Sequence, residues 1–154
     1  MQSSSLGHFM RESGPWTYAI VNLAHVLGIA TLFGSILVLD LRLVGVGRRV
    51  PLAALSAAVV PVATAGFLIA ATTGVGLLAT KATEYVGNPF LLIKFPAIAL
   101  GLLNVGVLKR TGAWRAHRMR DLTAGEQRQL AAFGGLSLLC WLTAITAGRM
   151  IAYW

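Results

Sequence analysis

The chain has 154 residues, enough for one domain, and 56% of them are hydrophobic while only 12% are charged. Soluble proteins carry about 25% charged residues, so this composition, with a mean hydropathy of +0.74, excludes an ordinary soluble globule. The net charge of +8 does not indicate nucleic-acid binding, because the basic residues cluster between apolar runs, as topology signals do. The single cysteine, Cys140, excludes an intrachain disulfide and a cysteine-rich metal site.

The first apolar run follows a polar leading segment, 1–15, and is too long for the core of a cleavable signal peptide. We predict that this run, 16–41, is the first membrane-spanning helix, since about 20 apolar residues cross a bilayer. A stripe at helical spacing runs along one side of it and consists of Asn22, His25, Gly28, Leu32 and Ser35. An imidazole inside a lipid-spanning helix is the most informative feature of the chain.

The second span is predicted over 52–80 and contains Pro61, where we expect a kink. Small residues recur at every fourth position in this span, a pattern typical of membrane helices that approach a neighbour closely. These residues are Gly66, Ala70 and Gly74. A similar pair, Ala97 and Gly101, lies in the third span, so close helix contacts are expected within one chain or between two copies.

The third span is predicted over 89–108, with Asn88 as its cap and Pro89 in its first turn. One face of this helix is formed by Lys94, Ala97, Gly101 and Asn104. The fourth span is predicted over 130–153. Thr123 and Glu126 have the spacing of a capping box, so we expect this last helix to begin in the preceding linker, near Leu122.

Lysine and arginine are distributed unevenly over the segments outside the predicted spans. The linkers 42–51 and 109–129 carry nine of them, whereas the leading segment and the linker 81–88 carry two. Positively charged loops favour the cytoplasmic side of a membrane. We therefore expect both basic linkers in the cytoplasm and both termini on the outer side.

This topology brings polar groups of the spans to a similar depth in the outer third of the membrane. His25 lies nine residues after Trp16, which is about 13 Å along a helix that rises 1.5 Å per residue. Ionisable groups within a membrane usually face the interior of the bundle or a cavity. The candidate site residues are Asn22 and His25 on the first span, Lys94 on the third, and Arg149 and Met150 on the fourth.

Each candidate has a structural and a functional explanation. Lys94 and Arg149 are long cations near helix ends, where such side chains extend to the membrane surface. His25 is too deep and too short for that, and as a neutral imidazole it would bond to Asn22, Ser35 or a backbone carbonyl. Alternatively, His25 is a ligand of haem or copper. Met150 would then be a second copper ligand, and the two cations would neutralise the haem propionates.

Polar residues near the inner surface are expected to be structural or to contact lipid. Asp40, at the inner end of the first span, is expected to pair with one of three arginines: Arg42, Arg48 or Arg110. The stretch 114–120 is an aromatic and basic patch suited to anionic lipid head groups. Its histidine, His117, is expected to be solvated or to face lipid. No arrangement typical of an enzyme active site is present, and the patch is too small for nucleic acid.

Two strings are more specific than the composition: HVLGIATLFGSILVLDLRLVG in the first span and NPFLLIKFPAIALGLLNVGVLKR in the third. Together they resemble a bacterial family of small four-helix membrane proteins of unknown function. That family is similar to the membrane domain of copper-resistance D proteins and, more loosely, to b-type cytochrome membrane domains. The resemblance implies a bacterial inner membrane and a metal or redox role. The residues that carry it are His25, Asp40, Arg42, Asn88, Pro89 and Lys94.

We therefore predict a single transmembrane domain, 1–154, built as an all-α, multi-pass four-helix bundle. The expected function is that of a non-catalytic membrane protein that has a polar pocket in the outer third of the membrane, where His25 holds haem b, and that acts as a membrane partner in electron transfer. One alternative is copper binding or transport, and another is a purely structural or assembly subunit. The expected partners are the lipid bilayer, a membrane redox partner, or a second copy of the chain whose His25 would pair with the first.

Overall fold

The computed structural model describes residues 14–80 and 87–153. The regular structure of these residues is entirely helical, and most of the predicted polar leading segment and of the 81–88 linker lies outside them. The helices are α1 (Gly14–Val44), α2 (Leu52–Thr80), α3 (Pro89–Arg110), the short α4 (Gly112–Ala116) and α5 (Ala124–Met150), followed by a 3₁₀ turn at Ile151–Tyr153.

Four of these helices, α1, α2, α3 and α5, are long and apolar enough to cross a membrane. Their most apolar windows have only 17, 17, 22 and 39% of their residues buried within the chain. Apolar surface in water costs roughly 25 cal/mol per Å², so the exposed sides of these helices suit lipid contact. The prediction of an all-α chain with four helices long and apolar enough to span a membrane is confirmed, and such helices indicate a multi-pass membrane protein.

The start of α5 shows why the last helix extends well beyond its apolar run. The Thr123 hydroxyl accepts a hydrogen bond from the Glu126 amide at 3.3 Å, and the Glu126 carboxylate accepts one from the Thr123 amide at 2.8 Å. Both arms of the predicted capping box are therefore present. Because the cap satisfies amides that have no partner within the helix, α5 begins at Ala124 rather than at the apolar run near 130.

The described residues form two compact units, and the first comprises α1 up to Gly34 together with α2 from Val62. Its two helices approach each other closely through glycine. A Cβ built on Gly66 would lie 2.6 Å from the Leu32 amide nitrogen, and one built on Gly28 would lie 2.8 Å from the Ala70 amide nitrogen. The small-residue ladder of α2 therefore makes the close helix contact that its spacing predicts.

The second unit comprises the remainder of α1 and α2 with α3, α4 and α5. The predicted face of α3 is buried at Ala97, Gly101 and Asn104, while Lys94 is half-buried. A Cβ built on Gly101 would lie 3.3 Å from the Trp141 ring of α5. The absence of a side chain at Gly101 thus lets an indole lie directly against the α3 backbone.

An apolar core closes one end of the second unit. It joins the end of α1, the start of α2, the end of α3, part of α4 and the start of α5. Its buried members are Leu43, Leu52, Leu108, Ala113, Trp114 and Leu130. The two arginine-rich linkers that flank this apolar core therefore lie at the same end of the second unit.

Candidate functional site

His25 of α1 binds the backbone of α2 within the first unit. Its Nδ1 lies 2.9 Å from the Ala70 carbonyl oxygen and 3.1 Å from the Thr73 hydroxyl oxygen. The Thr73 hydroxyl donates its own proton to the Ile69 carbonyl at 2.5 Å. A carbonyl can only accept, so the proton of the neutral imidazole belongs on Nδ1, and Nε2 is the basic ring nitrogen. A backbone carbonyl was among the partners expected from the sequence, and this one is confirmed.

The imidazole ring also fits against a glycine of α2. A Cβ built on Gly74 would lie 2.9 Å from the His25 Cε1 atom, so a side chain at that position would displace the ring. Gly74, the third member of the small-residue ladder, therefore provides the space in which the ring lies. The ladder and the histidine are each apparent in the sequence, but the contact between them is not.

The other candidate site residues differ in their surroundings. Asn22 belongs to the first unit and is exposed, whereas Lys94, Arg149 and Met150 belong to the second. A Cβ built on Gly148 would lie 3.4 Å from the Lys94 ammonium, so this side chain runs along α5. Arg149 donates to the Tyr153 hydroxyl at 2.6 Å. That these groups share the depth of His25 stays a prediction.

The metal-ligating side chains of the first unit can be compared with the ligands that haem and copper require. Among residues 14–80 and 87–153, no group of three or more His, Cys, Asp or Glu side chains could hold a metal ion. The described part of the first unit contains no second histidine and no cysteine or methionine. One imidazole is sufficient as a single axial ligand of haem, but it is not by itself a ligand set for copper.

Asp40 does not form the predicted ion pair. Only 4% of this residue is exposed, it accepts a hydrogen bond from Ser137, and no described cation lies within ion-pair distance. The prediction is wrong because α1 continues to Val44, which leaves Asp40 covered by α5 where Gly134 meets the α1 backbone. Arg42 instead donates to the Val50 carbonyl at 2.7 Å.

His117 is buried, so the prediction of a solvated or lipid-facing side chain is also wrong. Its Nε2 lies 3.0 Å from the Ser56 hydroxyl oxygen, and its Nδ1 bonds to the Trp114 carbonyl. The centres of the His117 and Trp114 rings lie 4.5 Å apart. His117 is buried because it directly follows the short helix α4. Thr111 caps this helix by accepting a hydrogen bond from the Trp114 amide. The apolar face of this short helix, with His117 directly after it, was the signal that the sequence analysis missed.

Acidification is expected to destabilise the end of the second unit that holds His117. Burial lowers the pKa of this imidazole below its usual 6.5, an effect that the Trp114 carbonyl opposes and the charge of Arg118 reinforces. The unfolded chain therefore binds more protons, so the stability contributed by neutral His117 is present above about pH 6.5 and is lost as the pH falls through the lower folded-state value. The midpoint of thermal unfolding in detergent, measured between about pH 8 and pH 5, should fall with pH.

A matched variant isolates the contribution of His117 to this pH dependence. His117→Gln keeps hydrogen-bonding capacity but cannot titrate, so its unfolding midpoint should change less over the same pH range. An identical pH dependence in the variant and the natural chain would contradict the assignment to His117.

Comparison of the chain with protein-family models, curated proteins and solved structures finds no match. The resemblance described for the first and third spans therefore stays a prediction. Functional inference must rest on the helices and side chains themselves, above all on His25 and its contacts with α2.

Proposed function

We propose that this protein is a non-catalytic inner-membrane protein that holds haem b through His25 and acts as a membrane partner in electron transfer. The observation that carries the proposal is the hydrogen bond from the His25 Nδ1 to the Ala70 carbonyl at 2.9 Å. Histidines that bind metals usually donate their other ring N–H to a carbonyl or carboxylate, which fixes the tautomer and the ring orientation. The haem, when bound, would supply one-electron redox chemistry.

The surroundings of His25 suit an axial ligand in three respects. The Ala70 carbonyl and the Thr73 hydroxyl both receive the Nδ1 proton, which makes Nε2 the nitrogen with the lone pair. Gly74 leaves space for the ring. The contact with α2 also immobilises the imidazole within a membrane-spanning region, where the low dielectric strengthens a hydrogen bond to its ring.

The proposed topology places both termini on the periplasmic side and both arginine-rich linkers in the cytoplasm, where they would meet anionic lipid head groups. The observation in its favour is the apolar core of the second unit, which gathers residues next to both linkers, such as Leu52 and Leu130. Spans that alternate in direction require this arrangement, because the two linkers are separated by two crossings, and an even number of spans then places both termini on the opposite side. Their excess of arginine and lysine favours the cytoplasm.

A structural or assembly role is the second candidate, and the same contact favours it. A hydrogen bond from His25 to the α2 backbone joins two spanning helices whether or not a metal is bound. Interhelical hydrogen bonds in membranes are worth about 0.6–2 kcal/mol, enough to stabilise a two-helix contact. Copper handling by His25 and Met150 has no comparable observation in its favour.

A visible spectrum of the detergent-purified protein, produced with haem supplied, tests the proposal. The natural chain should show a Soret band, and His25→Ala should lose it. The matched control is His117→Ala, which removes the other histidine of the described residues and should retain the band. Absence of a Soret band in the natural chain would contradict haem binding.

Thermal unfolding of the same proteins separates the two candidates. A natural chain without a Soret band that is nevertheless destabilised by His25→Ala would support the structural role. Copper in the purified protein that is lost in His25→Ala, without a Soret band, would instead support the copper alternative.

A further inference from the structure

A small cavity lies inside the second unit, where α1, α2, α3, α4 and α5 all contribute to its wall. Its volume is about 50 Å³, and a water molecule needs about 10–15 Å³ of such space, so a few waters fit. Most of the wall is apolar. The polar and charged residues that line it are Asp40, Asn104, Lys109 and Ser137.

Two of these residues present hydrogen-bond acceptors that the described residues leave unsatisfied. They are the Oδ2 atom of Asp40 and the Oδ1 atom of Asn104, and each residue is only 4% exposed. Both side chains also form hydrogen bonds. Ser137 donates to the Asp40 carboxyl group, and the Asn104 amide nitrogen donates to the Phe133 carbonyl at 3.0 Å. Buried polar atoms are nearly always paired, so two unsatisfied acceptors beside one cavity require a donor.

The charged side chains around the cavity do not provide that hydrogen-bond donor. Lys109 of α3 is the other charged side chain in the wall, and it is exposed and beyond ion-pair distance of Asp40. The residues that α2, α4 and α5 contribute to the cavity wall carry no charge. They are Val60, Trp114 and Ser137. An ionised carboxylate without a counter-ion is costly inside a membrane-spanning segment.

A water in the cavity can donate to both acceptors, but it leaves the carboxylate charged. A proton on Asp40 provides a donor and also removes the charge. A carboxylic acid donates through its O–H, whereas a carboxylate only accepts. The new O–H of Asp40 can donate to the Asn104 oxygen, directly or through one water in the cavity. Proton uptake by Asp40 is balanced, because a hydronium ion gives its proton to the carboxylate and leaves as water.

We propose that Asp40, Asn104 and Ser137 form a reversible proton-binding site beside this cavity. Asp40 holds the proton, Asn104 accepts from the protonated form, and Ser137 donates to the carboxyl group. The site is independent of His25 and of any cofactor, and it gives the membrane-spanning region of the second unit a group that exchanges protons.

Labelling with dicyclohexylcarbodiimide, an apolar reagent that couples to protonated carboxylic acids, tests the proposal. The full-length protein in lipid vesicles is treated over a range of pH, and the modified residue is identified by mass spectrometry. Labelling should occur at Asp40 and fall about tenfold per pH unit above its midpoint, as the protonated fraction does. Asp121, which is exposed, should remain unlabelled, and Asp40→Asn should abolish the reaction.

A second variant tests the geometry of the site. Ser137→Ala removes a donor that stabilises the ionised carboxylate, so it should raise the midpoint of labelling by about one pH unit. Ser35→Ala, a half-buried serine of α1, should leave the midpoint unchanged.

Three results would overturn the proposal. Labelling that is constant over the whole pH range would show a carboxyl that never releases its proton. No labelling at any pH would show that no exchangeable proton reaches Asp40. Suppression of labelling by sodium chloride, but not by choline chloride, at a fixed pH would show a metal-cation site instead.

Discussion

Replacing Trp114 with alanine is expected to lower the free energy of unfolding by about 3–5 kcal/mol, the cost of removing a large aromatic side chain from a core. Trp114 is 7% exposed and belongs to the apolar core at the end of the second unit. Its ring also packs at a tilt against that of His117, and it lines the cavity beside Asp40. Its loss would therefore open the core and remove the packing that holds α4 in place.

The matched control for this substitution is Trp16→Ala. Trp16 is 80% exposed, so the same chemical change there removes little packing within the chain and should cost less than about 1 kcal/mol. Equilibrium unfolding of both variants in mixed detergent micelles measures the difference. Equal destabilisation by the two substitutions would show that Trp114 does not have the buried role described here.

Replacing Gly66 with alanine is expected to destabilise the first unit by about 1–3 kcal/mol, the usual cost of overpacking, and Gly66→Leu should cost more. A Cβ at this position would lie 2.6 Å from the Leu32 amide nitrogen and 3.0 Å from the Gly28 carbonyl oxygen. Both neighbours are backbone atoms, which cannot move aside by changing rotamer. The two helices would have to separate, and the hydrogen bond from His25 to Ala70 would lengthen with them.

Gly34→Ala is the control for this second prediction. Gly34 is also within a spanning helix of the first unit, but a Cβ there would meet no atom within 4 Å. Alanine gains about 1 kcal/mol of helix propensity over glycine at both sites, so the comparison isolates the packing cost. The same change in thermal stability in Gly66→Ala and Gly34→Ala would contradict the close approach of α1 and α2.

The features that the sequence predicted correctly depend on neighbouring residues along the chain. A spanning helix is recognised from the length of its apolar run, and a capping box from two residues three positions apart, as at Thr123 and Glu126. The buried face of α3 and the close contact at Gly66 follow from helical spacing in the same way. Each of these signals lies within a single helix or at its end.

The errors concern side chains whose surroundings come from distant parts of the chain. His117 bonds to Ser56, which is 61 positions away, and nothing near either residue indicates the other. The predicted partners of Asp40 are Arg42, Arg48 or Arg110. Instead, α5 covers Asp40, and Arg42 bonds to the linker backbone. Which helix covers a polar group depends on tertiary packing, which local spacing does not determine.

The position of α4 has a consequence for the electrostatics of the protein. This short helix is fixed by Ala113, Trp114 and Ala116, which are buried, while Arg115 is exposed on it and Arg118 is exposed just beyond it. The backbone of Arg115 and Arg118 is thus ordered before binding. Binding to an oppositely charged surface therefore costs less conformational entropy than it would for a disordered segment. Such attraction decays over about 8–10 Å at physiological ionic strength. A rigid support that presents several guanidinium groups together would therefore act at short range and weaken sharply with added salt.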